Sequence, residues 1–420
     1  MGSAKNETSL RLTAVCVAPL LFFIHIALAE VATAQSAEPG TPAAAATARP
    51  ASHYKYKALY NFCDWDHCPD NLNGDLIFDA AGNLYGTTFE GGNPACSEGL
   101  GCGTVFQLSP RSDGRWKHST LFEFSGGDEG ANPLAGLVLD AAGNLYGTTS
   151  SDGSSGDGTV FELSPSADGT WKLATILTFN GKNGAMPEAH LILDAAGNLY
   201  GTTTAGGNPS CDGNGCGTVF QLSPTADGAW KHTTLFQFNG ANGANPYAPL
   251  IFDAGGNLYG SASSGGKFSA GTVFQLSPGK SGAWTRTTLF NFNGADGAFP
   301  RGGLVFDGAG NLYGTTAAGG GSKSYGTVFE LSPQGKGSWK HTTLVNFHIT
   351  NGSNPPAGLI FGPAGNLYGN AGDGRFGIGM VFRLSPEANG KWKETTLLTF
   401  NGDNGGGPVG ALLLDAAGNL

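Results

Sequence analysis

The sequence predicts an all-β fold, a β-propeller of four-stranded antiparallel blades. Three observations carry the prediction: self-similarity at a period of about 55 residues, four short apolar or alternating runs in each copy, and turn chemistry between successive runs. The phrase Asp-x-x-Gly-Asn-Leu-Tyr-Gly stands at 79–86, 140–147, 194–201, 253–260 and 307–314, recurs at 362–369 with Gly362 in place of Asp, and starts again at Asp415. Each full copy continues into Gly-(Thr/Met)-Val-Phe-x-Leu-Ser-Pro, from Gly103, Gly158, Gly217, Gly271, Gly326 and Gly379. A tryptophan and a Thr/Phe-rich run then close the copy, at Trp116, Trp171, Trp230, Trp284, Trp339 and Trp392, so that six complete copies are present.

The elements follow in chain order. Residues 1–34 have the profile of a signal peptide: few charges, an apolar run over 12–29 interrupted by Pro19 and His25, and small residues suited to a peptidase. Residues 35–55 are rich in Ala, Pro and Thr and cannot bury enough surface to offset the entropy of ordering, which makes them a disordered linker. The repeat domain spans 56–420. In the fourth copy, strand a is expected over 250–252, nearly all apolar; strand b over 257–261; strand c over 272–276. Strand d, over 284–292, alternates, with Trp284, Arg286, Thr288, Phe290 and Phe292 on one side, as suits an outer strand half open to water. Four such strands in a unit of constant length describe a blade better than a solenoid coil, a barrel or a sandwich.

Residues 56–62 match strand d and residues 411–415 match strand a. A split seventh blade shared between the two ends is therefore expected, which would protect the edges of an open ring. The chain stops inside strand b of that blade, so a C-terminally truncated domain is expected as well.

A formal net charge of −10 and few Lys/Arg argue against nucleic acid as a partner. Beyond the signal segment the cysteines form close pairs, Cys63/Cys68, Cys96/Cys102 and Cys211/Cys216, which in an exported chain read as disulfides. Zinc is the competing reading, and the spacings lack neighbouring histidine pairs. The repeated Asp is expected to cap a turn, not to bind metal, because Gly362 replaces it in one copy. The Trp and Phe residues are expected to pack between blades. His118, His232 and His341 fall in alternate blades, too far apart to share an ion. No cofactor is expected, and calcium has no motif behind it.

With strands running up and down, the b-to-c and d-to-a connections fall on one face, together with all three cysteine pairs. These are the longer and more variable loops, where recognition usually sits on a rigid scaffold. Candidate binding residues are therefore Asp64, Trp65 and Asp66 between the first cysteines and the loop-tip residues Asn183, Asn242, Asp296, Asn351 and Asn404. No catalytic residue is assigned, since no nucleophile elbow, Walker loop or HExxH occurs.

The stretch FNGADGAFPRGGLVFDGAGNLYGTTAAGGGSKSYGTVFELSP over 292–333 resembles the Gloeo/Verruco tandem repeat of bacterial secreted or surface proteins, and the resemblance covers nearly all of 56–420. It implies a propeller-like array that often precedes a C-terminal surface anchor, and brings no catalytic residues. The expectation is a secreted, periplasmic or cell-surface scaffold that binds an extracellular glycan or protein, with no membrane span in the mature chain. The alternatives are a propeller enzyme (lyase, lactonase or glycoside-active) and a purely structural envelope component. An enzyme would require unique acidic or histidine residues converging on the central channel.

Overall fold

The computed structural model describes residues 25–27, 30–31, 54–62 and 72–420, without 95, 97–98, 212, 281, 322–324 and 373–377. Cys63, Asp64, Trp65, Asp66 and Cys68, and most of the expected signal segment and linker, lie outside the described residues.

Six four-stranded sheets form, each in the order a-b-c-d with antiparallel neighbours, and they stand in a ring as a β-propeller. Blade 4 contains Ile251–Phe252, Leu258–Ala262, Thr272–Pro278 and Trp284–Asn291. Strand a begins the other blades at Ile77–Phe78, Val138–Leu139, Ile192–Leu193, Val305–Phe306 and Ile360–Phe361. Strand b is buried along its whole length in every blade. Its central glycine follows from packing: a Cβ at Gly147 would come within 2.6 Å of Phe161 Cζ and 2.9 Å of Leu137 Cδ2.

Blades hold one another through the aromatic residues of the repeat. The phenylalanine that ends strand d meets the strand c phenylalanine of the next blade edge-on, Phe124 with Phe161 at 5.2 Å and Phe292 with Phe329 at 5.1 Å between ring centroids. In blades 2 to 6 the strand d tryptophan abuts the strand b tyrosine of the blade before it, as Trp171 with Tyr85 and Trp392 with Tyr313. The inter-blade role expected of these residues is therefore what they perform.

Strand d departs from strict alternation. A β-bulge shifts its register between Val273 and Phe274, so that Val273 faces Phe290 while Phe274 faces Thr288. The extra residue, Leu289, turns into the core at 8% exposure. The same bulge recurs in all six blades, and bends the outer strand over the adjoining sheet.

The starts of the first strands converge on the axis. A Cβ at Gly136 would sit 2.6 Å from the Asp75 carbonyl oxygen, one at Gly358 2.8 Å from that of Gly303, and one at Gly303 3.1 Å from Pro249 Cγ. The split seventh blade does not form as a sheet. Phe62 meets Phe106 at 4.8 Å as a strand d phenylalanine would, and Leu413 packs against the cluster around Leu59 and Phe62. However, Ala58–Asn61 pairs with His25–Ala27, and residues 412–414 join no ladder. A mainly apolar cavity of about 750 Å³ remains in this seam, lined by Leu59, Leu76, Leu397, Phe400 and Leu412 among others.

Candidate functional site

The repeated Asp closes its own turn. Asp253 Oδ1 accepts the amides of Gly255 and Asn257, and Oδ2 accepts Asn257 Nδ2 at 2.7 Å and the Tyr259 hydroxyl at 3.0 Å. Burial alone would raise this carboxyl; the donors outweigh it and hold it below the usual range. In blade 6, where Gly362 stands, a Cβ would collide with the Tyr368 ring. Among the described residues no group of three or more His, Cys, Asp or Glu is placed to hold a metal ion.

On the opposite face, two disulfides form, Cys96–Cys102 and Cys211–Cys216. Both brace a b-to-c loop against the neighbouring d-to-a loop, since a Cβ at Gly126 or Gly240 would lie 3.4 Å from Cys102 Sγ or Cys211 Sγ. The loop-tip residues singled out in the sequence hold the same loops together. Asn183, Asn242, Asp296, Asn351 and Asn404 each accept, through Oδ1, the amide three residues earlier, of Asn180, Asn239, Asn293, His348 and Asn401. Asn351 also donates to Glu394 Oε2.

Nearer the axis the repeat is broken. Three positions ahead of the strand a leucine, successive copies carry Asn73, Leu134, Glu188, Tyr247, Arg301, Pro356 and Val409; one position ahead, they carry Asp75, Gly136, His190, Pro249, Gly303, Gly358 and Ala411. Polar and charged groups thus cluster in blades 3 to 5 and face blade 1. His190 Nδ1 lies 3.0 Å from Asp75 Oδ2, although the two residues belong to non-adjacent blades. The other Asp75 oxygen accepts the amide of Ala411. Burial would raise the Asp75 carboxyl; the hydrogen bond and charge of His190 and the Ala411 amide override it and lower it.

In blades 4 and 5, Arg301 Cζ stacks 5.2 Å from the centre of the Tyr247 ring. Arg301 is exposed, and its guanidinium makes no hydrogen bond or ion pair among the described residues. The Thr204 hydroxyl donates to the Met186 carbonyl at 3.0 Å and stands 3.4 Å from Glu188 Oε1. Burial pushes the Glu188 carboxyl up, and Thr204 and Arg301 only partly offset it. Burial likewise raises the Tyr247 hydroxyl, so it remains a donor at neutral pH.

Two rim residues adopt backbone that side chains usually avoid. The residue before the loop proline has positive φ in five blades; three copies place asparagine there, which tolerates it. Asn132 and Asn245 also donate to the Phe89 and Thr204 carbonyls. Blades 3 and 5 instead carry Met186 (φ 54°) and Phe299 (φ 56°), 46% and 42% exposed. More broadly, every exposed large hydrophobic among the described residues lies in a b-to-c or d-to-a loop: Leu100, Met186, Phe268, Phe299, Tyr325, Ile349 and Val409. The opposite face has none among the described residues. The axial residues escape a motif search because each is a single departure from the repeat; aligning the copies column by column exposes them.

The family model described as the Gloeobacter/Verrucomicrobia repeat matches residues 46–231 and 210–420. Among solved structures, the chain is similar to a luciferin-regenerating enzyme, with 17% identity over 76% of this chain and 92% of that one and a TM-score of 0.44. It is also similar to a protein of unknown function from Dyadobacter fermentans, with 10% identity over 78% and 79% of the two chains and a TM-score of 0.35. A comparison with curated proteins finds no match. Neither structural likeness carries an argument about function.

Proposed function

The chain belongs to the Gloeobacter/Verrucomicrobia repeat family, and from that premise we propose that it is a secreted or cell-surface propeller acting as a non-catalytic binding scaffold for an extracellular glycan or protein. The ligand sits on the face of the b-to-c and d-to-a loops, over the axial mouth. The observation that carries this reading is the segregation of exposed hydrophobic side chains to that face, which also carries charged residues unique to single blades. Two disulfides and the absence, among the described residues, of any helix long and apolar enough to cross a membrane are consistent with export.

Thermal unfolding of the full chain against a glycan panel tests it. A ligand that prefers the folded state raises the midpoint, by about 2.7 kcal/mol of stability at a hundredfold excess over Kd. No rise with any glycan or candidate protein partner would remove the binding reading.

An enzyme is the second reading, favoured by the His190–Asp75 pair and by the raised carboxyl of Glu188, two residues before His190 in the chain. An acid and a base with separated pKa values are what proton-transfer chemistry needs. Turnover of a panel ligand, lost in Glu188→Gln with binding retained, would establish it.

A further inference from the structure

The axial mouth has a chemistry more specific than a binding face. Its cation, Arg301, is stacked on Tyr247, so the guanidinium plane is held while its donors stay free. A planar fork of this kind matches a carboxylate bidentately. Beside it stand two groups that handle hydroxyls, the Tyr247 O–H and the Glu188 carboxyl, the latter 3.4 Å from the buried Thr204 hydroxyl. Met186 and Phe299, two residues ahead of Glu188 and Arg301, add exposed apolar surface and hold left-handed backbone to do so. Strain of that sort gathers at ligand clamps.

One cation, two hydroxyl partners and exposed apolar surface together describe a sugar ring that carries a carboxylate. We propose that the mouth formed by blades 3 to 5 is a subsite for a uronate unit of an acidic saccharide, its carboxylate on Arg301 and its hydroxyls on Glu188 and Tyr247. This rests on the axial binding reading above. An acidic peptide would also satisfy Arg301, but it would leave the hydroxyl-handling groups without partners. Burial disfavours the charged form of Glu188, which weakens its repulsion of such an anion.

The test is calorimetric titration of the full chain with trigalacturonate, its fully methyl-esterified form and a short polyglutamate peptide. The acid trimer is expected to bind at least about tenfold more tightly than the ester, a difference of about 1.4 kcal/mol. Arg301→Gln should abolish that preference by weakening acid-trimer binding to the level of the ester; Tyr247→Ala should weaken both. Arg301 is exposed and makes no ion pair among the described residues, so its variant is expected to keep the wild-type melting midpoint, and Tyr247→Phe separates the loss of the hydroxyl from the loss of the ring. Equal binding of acid and ester, reduced by Tyr247→Ala, would overturn the uronate assignment and leave axial binding standing. Peptide binding that needs Arg301, without saccharide binding, would likewise overturn it. Acid-trimer binding indifferent to both substitutions would overturn the site itself, and no binding of any probe would sink the assignment and count against the reading beneath it.

Discussion

His190 and Asp75 meet across the propeller axis, Nδ1 to Oδ2 at 3.0 Å, although they stand 115 positions apart in the chain. Because the other oxygen of Asp75 accepts the Ala411 amide, one carboxylate ties blade 1, blade 3 and the C-terminal segment together.

Asp75→Asn is therefore expected to lower stability by about 1–3 kcal/mol, read as a fall in melting midpoint at pH 7. The folded-state carboxyl is lowered, so its contribution is present above the unfolded pKa of about 4 and is lost as pH falls through the folded value. The wild type should lose stability in that acid window while Asp75→Asn shows a shallower loss. Parallel curves would contradict the latch.

A second acid effect sits at the blade interfaces. His118 stacks on Tyr60 at 4.7 Å and His341 on Phe290 at 4.4 Å, and burial lowers the imidazoles of His118, His232 and His341. Below about pH 6.5 the unfolded chain takes up protons that the folded chain resists, so stability falls from about pH 7 to pH 5. Leu173 occupies the equivalent position in blade 2. Replacing all three histidines with leucine should flatten the melting midpoint across that range; an unchanged slope would contradict the assignment.

Blade 4 carries Arg286 at this same position, over the rings of Phe236, Phe238 and Phe274 at 5.4–5.7 Å, hydrogen-bonded to Thr272 and Thr288 and with no carboxylate partner among the described residues. Burial pulls its pKa down to about 10. A cation buried without a counter-ion is costly, and a well-packed apolar residue often serves better. Arg286→Leu should leave the melting midpoint unchanged or raise it. A loss above about 2 kcal/mol would show that the stacking outweighs desolvation.

The fold was legible because the repeat writes each packing contact five or six times: Trp171 on Tyr85 and Phe161 under Phe124 are the same contacts as Trp392 on Tyr313 and Phe382 under Phe347. The strand d bulge was not, since Leu289 and Phe290 are both apolar and either register satisfies the pattern. The loop-tip asparagines drew notice because they recur, and recurrence reflects their hydrogen bonds to their own turns. Glu188, Tyr247 and Arg301 went unnoticed for the converse reason: a site residue on a symmetric scaffold is where the symmetry fails.

The seam offers a check on the ring itself. Adding after Leu420 a strand b and strand c with the repeat's own Tyr-Gly-Thr-Thr and Gly-Thr-Val-Phe-x-Leu-Ser-Pro phrases should fill the 750 Å³ cavity and pair with Ala58–Asn61. At about 25 cal/mol per Å² of apolar surface buried, a clear rise in midpoint is expected. No rise would mean that the cavity does not accept blade strands.

The most direct test of the account is hydroxyl-radical footprinting of the full chain saturated with a ligand that raises its melting midpoint. Protection is predicted at Met186, Tyr247 and Phe299, on the rim of the axial mouth, with the strand d tryptophans unchanged. Protection confined to the outer strands or to the a-to-b turn face, with these three unaltered, would contradict it.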